Sequence, residues 1–143
     1  TTAVSANTLT ITNTASFPSA NENDNIVYDG SAFIATESPT ISFRITSDLS
    51  NGYRFDGGGL PSSTNNPTIY VYRGFTYRFN NTTGGGHPFA LRVSDGGSAV
   101  TTGVSGSQSG VQFWTVPQTL SAGTTYVYQC TIHGSMKGDM VVV

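Results

Sequence analysis

The stretch Thr124-Thr125-Tyr126-Val127-Tyr128-Gln129-Cys130-Thr131-Ile132-His133-Gly134-Ser135-Met136 decides how this chain is read. Its first half alternates aromatic and β-branched residues, the pattern of a strand. Its second half sets a thiol, an imidazole and a thioether three residues apart. These are three of the four side chains of a soft copper site built from two histidines, one cysteine and a weak axial methionine. The fourth is the chain's other histidine, His87. A strand end fixes the direction of Cys130. A tight turn through Gly134 and Ser135 then returns His133 and Met136, and Gly138 lets the chain leave. So short a loop cannot cap both sides of an ion, so His87 has to arrive from a neighbouring strand.

Each of these residues has a blander reading. A lone cysteine is usually a small buried hydrophobe, a lone histidine a hydrogen-bonded structural group, and a methionine gap filler. Together they resist it, because the chain has one cysteine and two histidines and all three fall at strand ends near a methionine. A helix would also align positions 130, 133 and 136. Thr131, Ile132, Gly134, Ser135 and Gly138 make a helix improbable. Zinc is the rival metal, but a structural zinc site wants four good ligands and only three strong ones are visible. Haem attachment through two cysteines is excluded, and so is an internal disulfide. A Cys–His nucleophile would need an orienting partner such as Asn80 or Asn81, an oxyanion hole and a cleft. Nothing else supports one, so the expectation is a protein that is not an enzyme.

Upstream, short runs rich in β-branched and aromatic residues alternate with Gly, Pro, Asn and Ser clusters, and helical periodicity is missing. The expected fold is an all-β, Greek-key sandwich. Ile41, Phe43 and Ile45 form a half-buried strand, followed by a turn at Asn51-Gly52 and the run Tyr53-Arg54-Phe55. Residues 56–67 read as a long loop and Ile69 to Tyr72 as the next strand. Phe75, Tyr77 and Phe79 mark a second clean strand, expected to form a hairpin with the first. His87 shares a face with Phe89, Leu91 and Val93 and should point inward at one end of the core. Residues 94–110 read as a Gly/Ser-rich loop, 111–116 as a strand carrying Trp114, and 138–143 as the last strand.

Composition shifts near residue 39. Residues 1–38 are taken as a polar N-terminal extension and 39–143 as the sandwich. Within the extension Thr8 to Thr12 alternates like a strand. Ile26-Val27-Tyr28 and Ala32 to Ala35 flank Asp29-Gly30 as a candidate hairpin; a partly ordered arm is the open alternative. The chain has 143 residues and a formal net charge of −2, and its six basic residues form no patch, so no nucleic-acid partner is expected. No apolar run is long enough to span a bilayer, so no membrane insertion is expected. The Thr/Ser/Asn/Gly-rich composition suits an exported or surface-displayed protein. Asn80 and Asn81 open overlapping N-x-T sequons.

Tyr126-x-Tyr128-x-Cys130-x-x-His133-x-x-Met136, with Gly86-His87 upstream, resembles the cupredoxins, and its spacing is similar to their short-loop members. The resemblance implies one type 1-like copper ion held by His87, Cys130, His133 and Met136 at one end of a Greek-key sandwich. Pro88 stands where electron-transfer members usually carry an asparagine that ties the two ligand loops together, and proline donates no hydrogen bond. A longer series resembles cupredoxin-like modules in virion structural proteins of marine phages that infect cyanobacteria. It runs from Tyr53-Arg54-Phe55-Asp56-Gly57 through Tyr72 to Phe79 and Gly86-His87-Pro88-Phe89 to Gly138. That resemblance implies a copper-binding surface or tail-associated virion component, with other virion proteins or copies of itself as partners. It places the chain at a virion surface or otherwise outside the cytoplasm, in the extracellular space or periplasm. The alternative is a soluble blue-copper electron-transfer protein.

Overall fold

The computed structural model describes Asn25–Tyr28, Phe33–Thr36 and residues 40–143. The chain divides into two compact units, Thr1–Glu37 and Ser38–Val143. In the first, β1 (Asn25–Tyr28) and β2 (Phe33–Thr36) pair antiparallel, with Tyr28 opposite Phe33. This is the hairpin expected around Asp29-Gly30. The strand expected at Thr8 to Thr12 lies outside the described residues.

The second unit is a two-sheet β-sandwich. Its strands are β3 (Thr40–Ser47), β4 (Tyr53–Asp56), β5 (Ile69–Val71), β6 (Thr76–Asn81), β7 (Phe89–Arg92), β8 (Val104–Gly106), β9 (Val111–Thr115), β10 (Thr125–Cys130) and β11 (Lys137–Val142). One sheet has the order β5-β11-β10-β7 and the other β4-β3-β6-β9-β8. The chain changes sheet on entering β5, β6, β7, β8 and β10, which is the Greek-key manner of closing a sandwich. No helix among the described residues is long and apolar enough to cross a membrane.

Alternation builds the strands. In β3, Phe43 and Ile45 are buried while Ser42 and Arg44 are exposed, so one face meets the core and the other water. Tyr77 and Phe79 do the same in β6. The expected hairpin between these two strands is corrected. They are neighbours, but parallel, with Ile41 opposite Tyr77 and Phe43 opposite Phe79. Two strands lie between them: β4 pairs back on β3, and β5 belongs to the other sheet and supplies the crossover that a parallel pair needs. A second correction concerns residues 94–110, which contain the edge strand β8 paired with β9.

The core is aromatic. Phe43 stacks on Phe79 at 5.8 Å between centroids, and Phe55 meets Tyr128 edge-on at 5.0 Å. Tyr53 meets Phe89 edge-on at 5.3 Å. Phe89 pairs across the ladder with Cys130, so this aromatic wall ends where the cysteine begins. Such pairs add to the burial term and hold ring orientations. They make a stiff floor beneath the loops at that pole.

Candidate metal centre

Cys130 is the last residue of β10 and is buried. Its amide donates to the Met136 carbonyl at 2.9 Å, and the Met136 amide donates to the His133 carbonyl at 2.9 Å. These two bonds close the loop and return Met136 beside Cys130, with its side chain fully buried in the core. The amides of Ile132 and His133 both donate to Cys130 Sγ at 3.4 Å. The two amides converge on the sulfur and fix its position at the mouth of the loop. Gly134 and Ser135 supply this turn, as expected. Gly134 does not sit at positive φ, and an added Cβ there would meet nothing nearer than the Gln129 side chain at 3.9 Å.

His87 follows a 3-10 turn at Gly84–Gly86 and precedes β7. It lies just outside the strand and is half-buried. Phe89 and Leu91 do face the core, as alternation requires, but Val93 is 50% exposed and leaves that face. The His87 Nδ1 lies 3.1 Å from the His133 Nδ1, and His133 Nδ1 lies 3.7 Å from Cys130 Sγ. One donor atom from each of the three residues lies within 4.8 Å of the others.

The His87–His133 and His133–Cys130 distances suit a shared ion. Ligand nitrogens about 2.0–2.1 Å and a sulfur about 2.3 Å from one ion, at tetrahedral angles, stand roughly 3.3 Å (N to N) and 3.6 Å (S to N) apart. The donor set also discriminates between metals. It contains one thiolate and two imidazoles and no carboxylate, so a four-ligand zinc site lacks its fourth strong donor. Two imidazoles and one cysteine sulfur suit copper, whose sites of this kind add only a weak axial donor. The His87–Cys130–His133 cluster fits one copper ion.

The surrounding bonds hold the ligands in place. The His87 carbonyl accepts from Tyr53 Oη at 2.9 Å, Asn81 Nδ2 at 2.8 Å and Thr83 Oγ1 at 3.1 Å. Asn81 is buried and also donates to the Gln108 carbonyl, while its Oδ1 accepts from Thr83. The Pro88 carbonyl accepts from the Thr131 amide at 3.2 Å and from Tyr53 Oη at 3.0 Å. The tie between the two ligand loops therefore runs through the backbone of the proline. Burial pushes the Tyr53 phenol well above its ordinary range, and Cys130 beside it adds to the shift, so Tyr53 stays a neutral donor. On the far side, Gln129 Nε2 donates to the Gly134 carbonyl and to Asp95 Oδ1, both at 2.9 Å, and Gln129 Oε1 accepts from the Gly96 amide. Lys137 pairs with Asp95 and is the main reason its carboxyl sits below the usual range.

Tyr53, Asn81, Thr83 and Gln129 are residues that the sequence reading missed as supports. Asn81 had a signal: it continues the inward alternation of Tyr77 and Phe79 by one more step. Considered as the orienter of a Cys–His nucleophile, it instead binds the backbone of His87. Its burial also leaves that sequon without an accessible acceptor.

A two-sheet Greek-key sandwich with a soft His–Cys–His cluster at one pole is cupredoxin-like in form. No family model matches the chain, and no curated protein matches it. Among solved structures it is similar to a reduced Cu(I) form of an amicyanin variant, with 22% identity over 77% of this chain and 86% of that one and a TM-score of 0.42. It is similar to reduced rusticyanin, with 22% identity over 85% and 91% of the two chains and a TM-score of 0.42. Rusticyanin from Thiobacillus ferrooxidans gives 20% identity over 85% and 88%, with a TM-score of 0.41.

Proposed function

We propose that the chain is a copper-binding module and not an enzyme, with one ion held by His87, Cys130 and His133 and with Met136 as a weak axial donor. The observation that carries this reading is the meeting of two imidazole Nδ1 atoms and one sulfur from loops distant in sequence. Bound copper supplies a one-electron Cu(I)/Cu(II) couple. The protein's part is to keep both imidazoles and the sulfur in one arrangement for both oxidation states. The Tyr53–Asn81–Thr83 bonds on one loop and the Ile132 and His133 amides on the other do that.

Electron transfer is the role the geometry favours. His133 is half-buried, and its neighbour Ile132 is 59% exposed, so an apolar approach lies one side chain from the ion. Display at a phage virion surface is the second reading, and it is supported by the residue series from Tyr53 to Gly138. Under it the partners are other virion proteins or copies of this chain, and copper staples the loop ends. Six scattered basic residues support neither role on nucleic acid.

Voltammetry of the copper-loaded protein, together with its oligomeric state, separates the readings. A monomer with a fast, reversible one-electron couple supports the carrier. A symmetric assembly with a sluggish couple supports display. Failure to take up one equivalent of copper while folded removes both.

A further inference from the structure

One carboxylate bridges the two residues that flank the ligand loop. Gln129 directly precedes Cys130, and Lys137 directly follows Met136. They face each other as the last register pair of β10 and β11. The next rung is the bond from the Cys130 amide to the Met136 carbonyl. Directly opposed side chains project to one face of a sheet, here the face turned away from the core that holds Tyr128. Asp95 lies over that face with one oxygen on each residue. Its Oδ1 accepts from Gln129 Nε2 at 2.9 Å, and its Oδ2 pairs with Lys137 Nζ.

Asp95 is braced from behind. It belongs to a tight turn closed by the Gly97 amide donating to the Ser94 carbonyl at 3.0 Å. Arg92 Nη1 donates to the Gly97 carbonyl at 2.6 Å, and the Gly96 amide donates to Gln129 Oε1 at 2.9 Å. The last bond settles which way round the Gln129 amide lies. Reversed, its oxygen would face the oxygens of Asp95 and Gly134, and its NH₂ would face the Gly96 N–H. Gln129 is only 5% exposed, so water cannot replace these bonds unless the turn lifts away. The Lys137 arm is exposed, and an isolated pair of that kind adds little. It matters here because the same carboxylate ends on a buried amide that also holds the Gly134 carbonyl inside the ligand loop.

We propose that Asp95 is a positioning residue for the Cys130–Met136 loop, a staple that fixes the separation of its two stems and so the placing of Cys130 against Met136. As a device for copper it rests on the metal reading above. The staple's own bonds involve no ligand side chain, so the two can fail separately.

Amide hydrogen exchange on the ¹⁵N-labelled, metal-free full chain tests it at Cys130 and Met136, whose amides close the loop. Asp95→Ala removes both arms and should speed exchange at both amides about tenfold. Lys137→Gln removes one exposed arm and should speed it about two- to fivefold. The double variant should match Asp95→Ala, because the second change has nothing left to break. Amides of β3 and β6 should keep their rates. In copper-loaded protein both single variants should move the Cu(II) hyperfine coupling in the same sense. Charge alone would push the reduction potential in opposite senses and leave the coupling where it was. Unchanged exchange in both single variants, additive effects in the double variant, or that charge-only pattern overturns the proposal. If Asp95→Ala does not fold, Asp95→Asn takes its place; it keeps an acceptor for Gln129 and should match Lys137→Gln. If the unaltered chain takes up no copper, the metal reading fails and the exchange rates still decide the staple.

Discussion

The carbonyl oxygen of His87 lies within hydrogen-bond reach of three side-chain donors, Asn81, Tyr53 and Thr83, the last two hydroxyls sharing their single protons with Pro88 O and Asn81 Oδ1. Such crowding fixes a backbone position more firmly than any single bond, and the imidazole follows the backbone. Replacing Asn81 with Ala leaves the Gln108 carbonyl without this donor and opens a void in a buried place. Chemical unfolding should show a loss of about 1–3 kcal/mol. Copper affinity, read by competition with a chelator, should fall roughly 10–100-fold while the β signal in circular dichroism persists. Unchanged affinity would mean that the ligands, and not their supports, set the site. Met136 gives a second residue-scale test. Met136→Leu conserves volume, so stability should change by less than about 1.5 kcal/mol. If Met136 is the axial donor, losing its sulfur removes a group that favours Cu(II). The reduction potential should then rise, with the visible band retained. An unmoved potential would show that Met136 is only a core side chain.

At the scale of elements, β10 and β11 carry the loop, and their glycines do different work. A Cβ on Gly138 would overlap the Tyr128 hydroxyl and sit 2.9 Å from the Asn66 carbonyl oxygen. That hydroxyl donates to the Pro67 carbonyl at 2.6 Å and cannot easily move aside. Gly138→Ala should therefore cost about 1–3 kcal/mol in urea unfolding. Gly134→Ala should fall within about 0.5 kcal/mol of the unaltered protein. Equal effects would contradict the packing described for β11. The same elements show what the sequence made legible. Period-two alternation identified β3 and β6 and their core-facing side chains, because side-chain direction is a local property; β10 was legible as a strand only, since its last four residues are buried on both faces. Alternation could not give the direction of the β3–β6 pairing, since Ile41, Phe43 and Ile45 alternate in the same way beside a parallel or an antiparallel neighbour. Strand β8 was illegible because two half-exposed residues followed by an exposed Gly106 carry no period at all.

Across the whole molecule, the Cys130–His133–Met136 half of the site was readable because its spacing is local. The His87 half rested on elimination among few candidates, and its supports were hidden because Tyr53 and Gln129 act through folding contacts that no spacing encodes. If the donors close on one ion only in the native state, copper should stabilise the fold by mass action. Free copper at a hundred times its dissociation constant should add about 2.7 kcal/mol to unfolding, and His87→Ala should erase most of that gain. The most direct measurement of the central claim is a titration of the folded, metal-free protein with Cu(II), followed by visible absorption. The account predicts an intense thiolate-to-copper band that saturates at one equivalent and is absent from Cys130→Ser. A folded protein that gives no such band, or keeps it without Cys130, would contradict it.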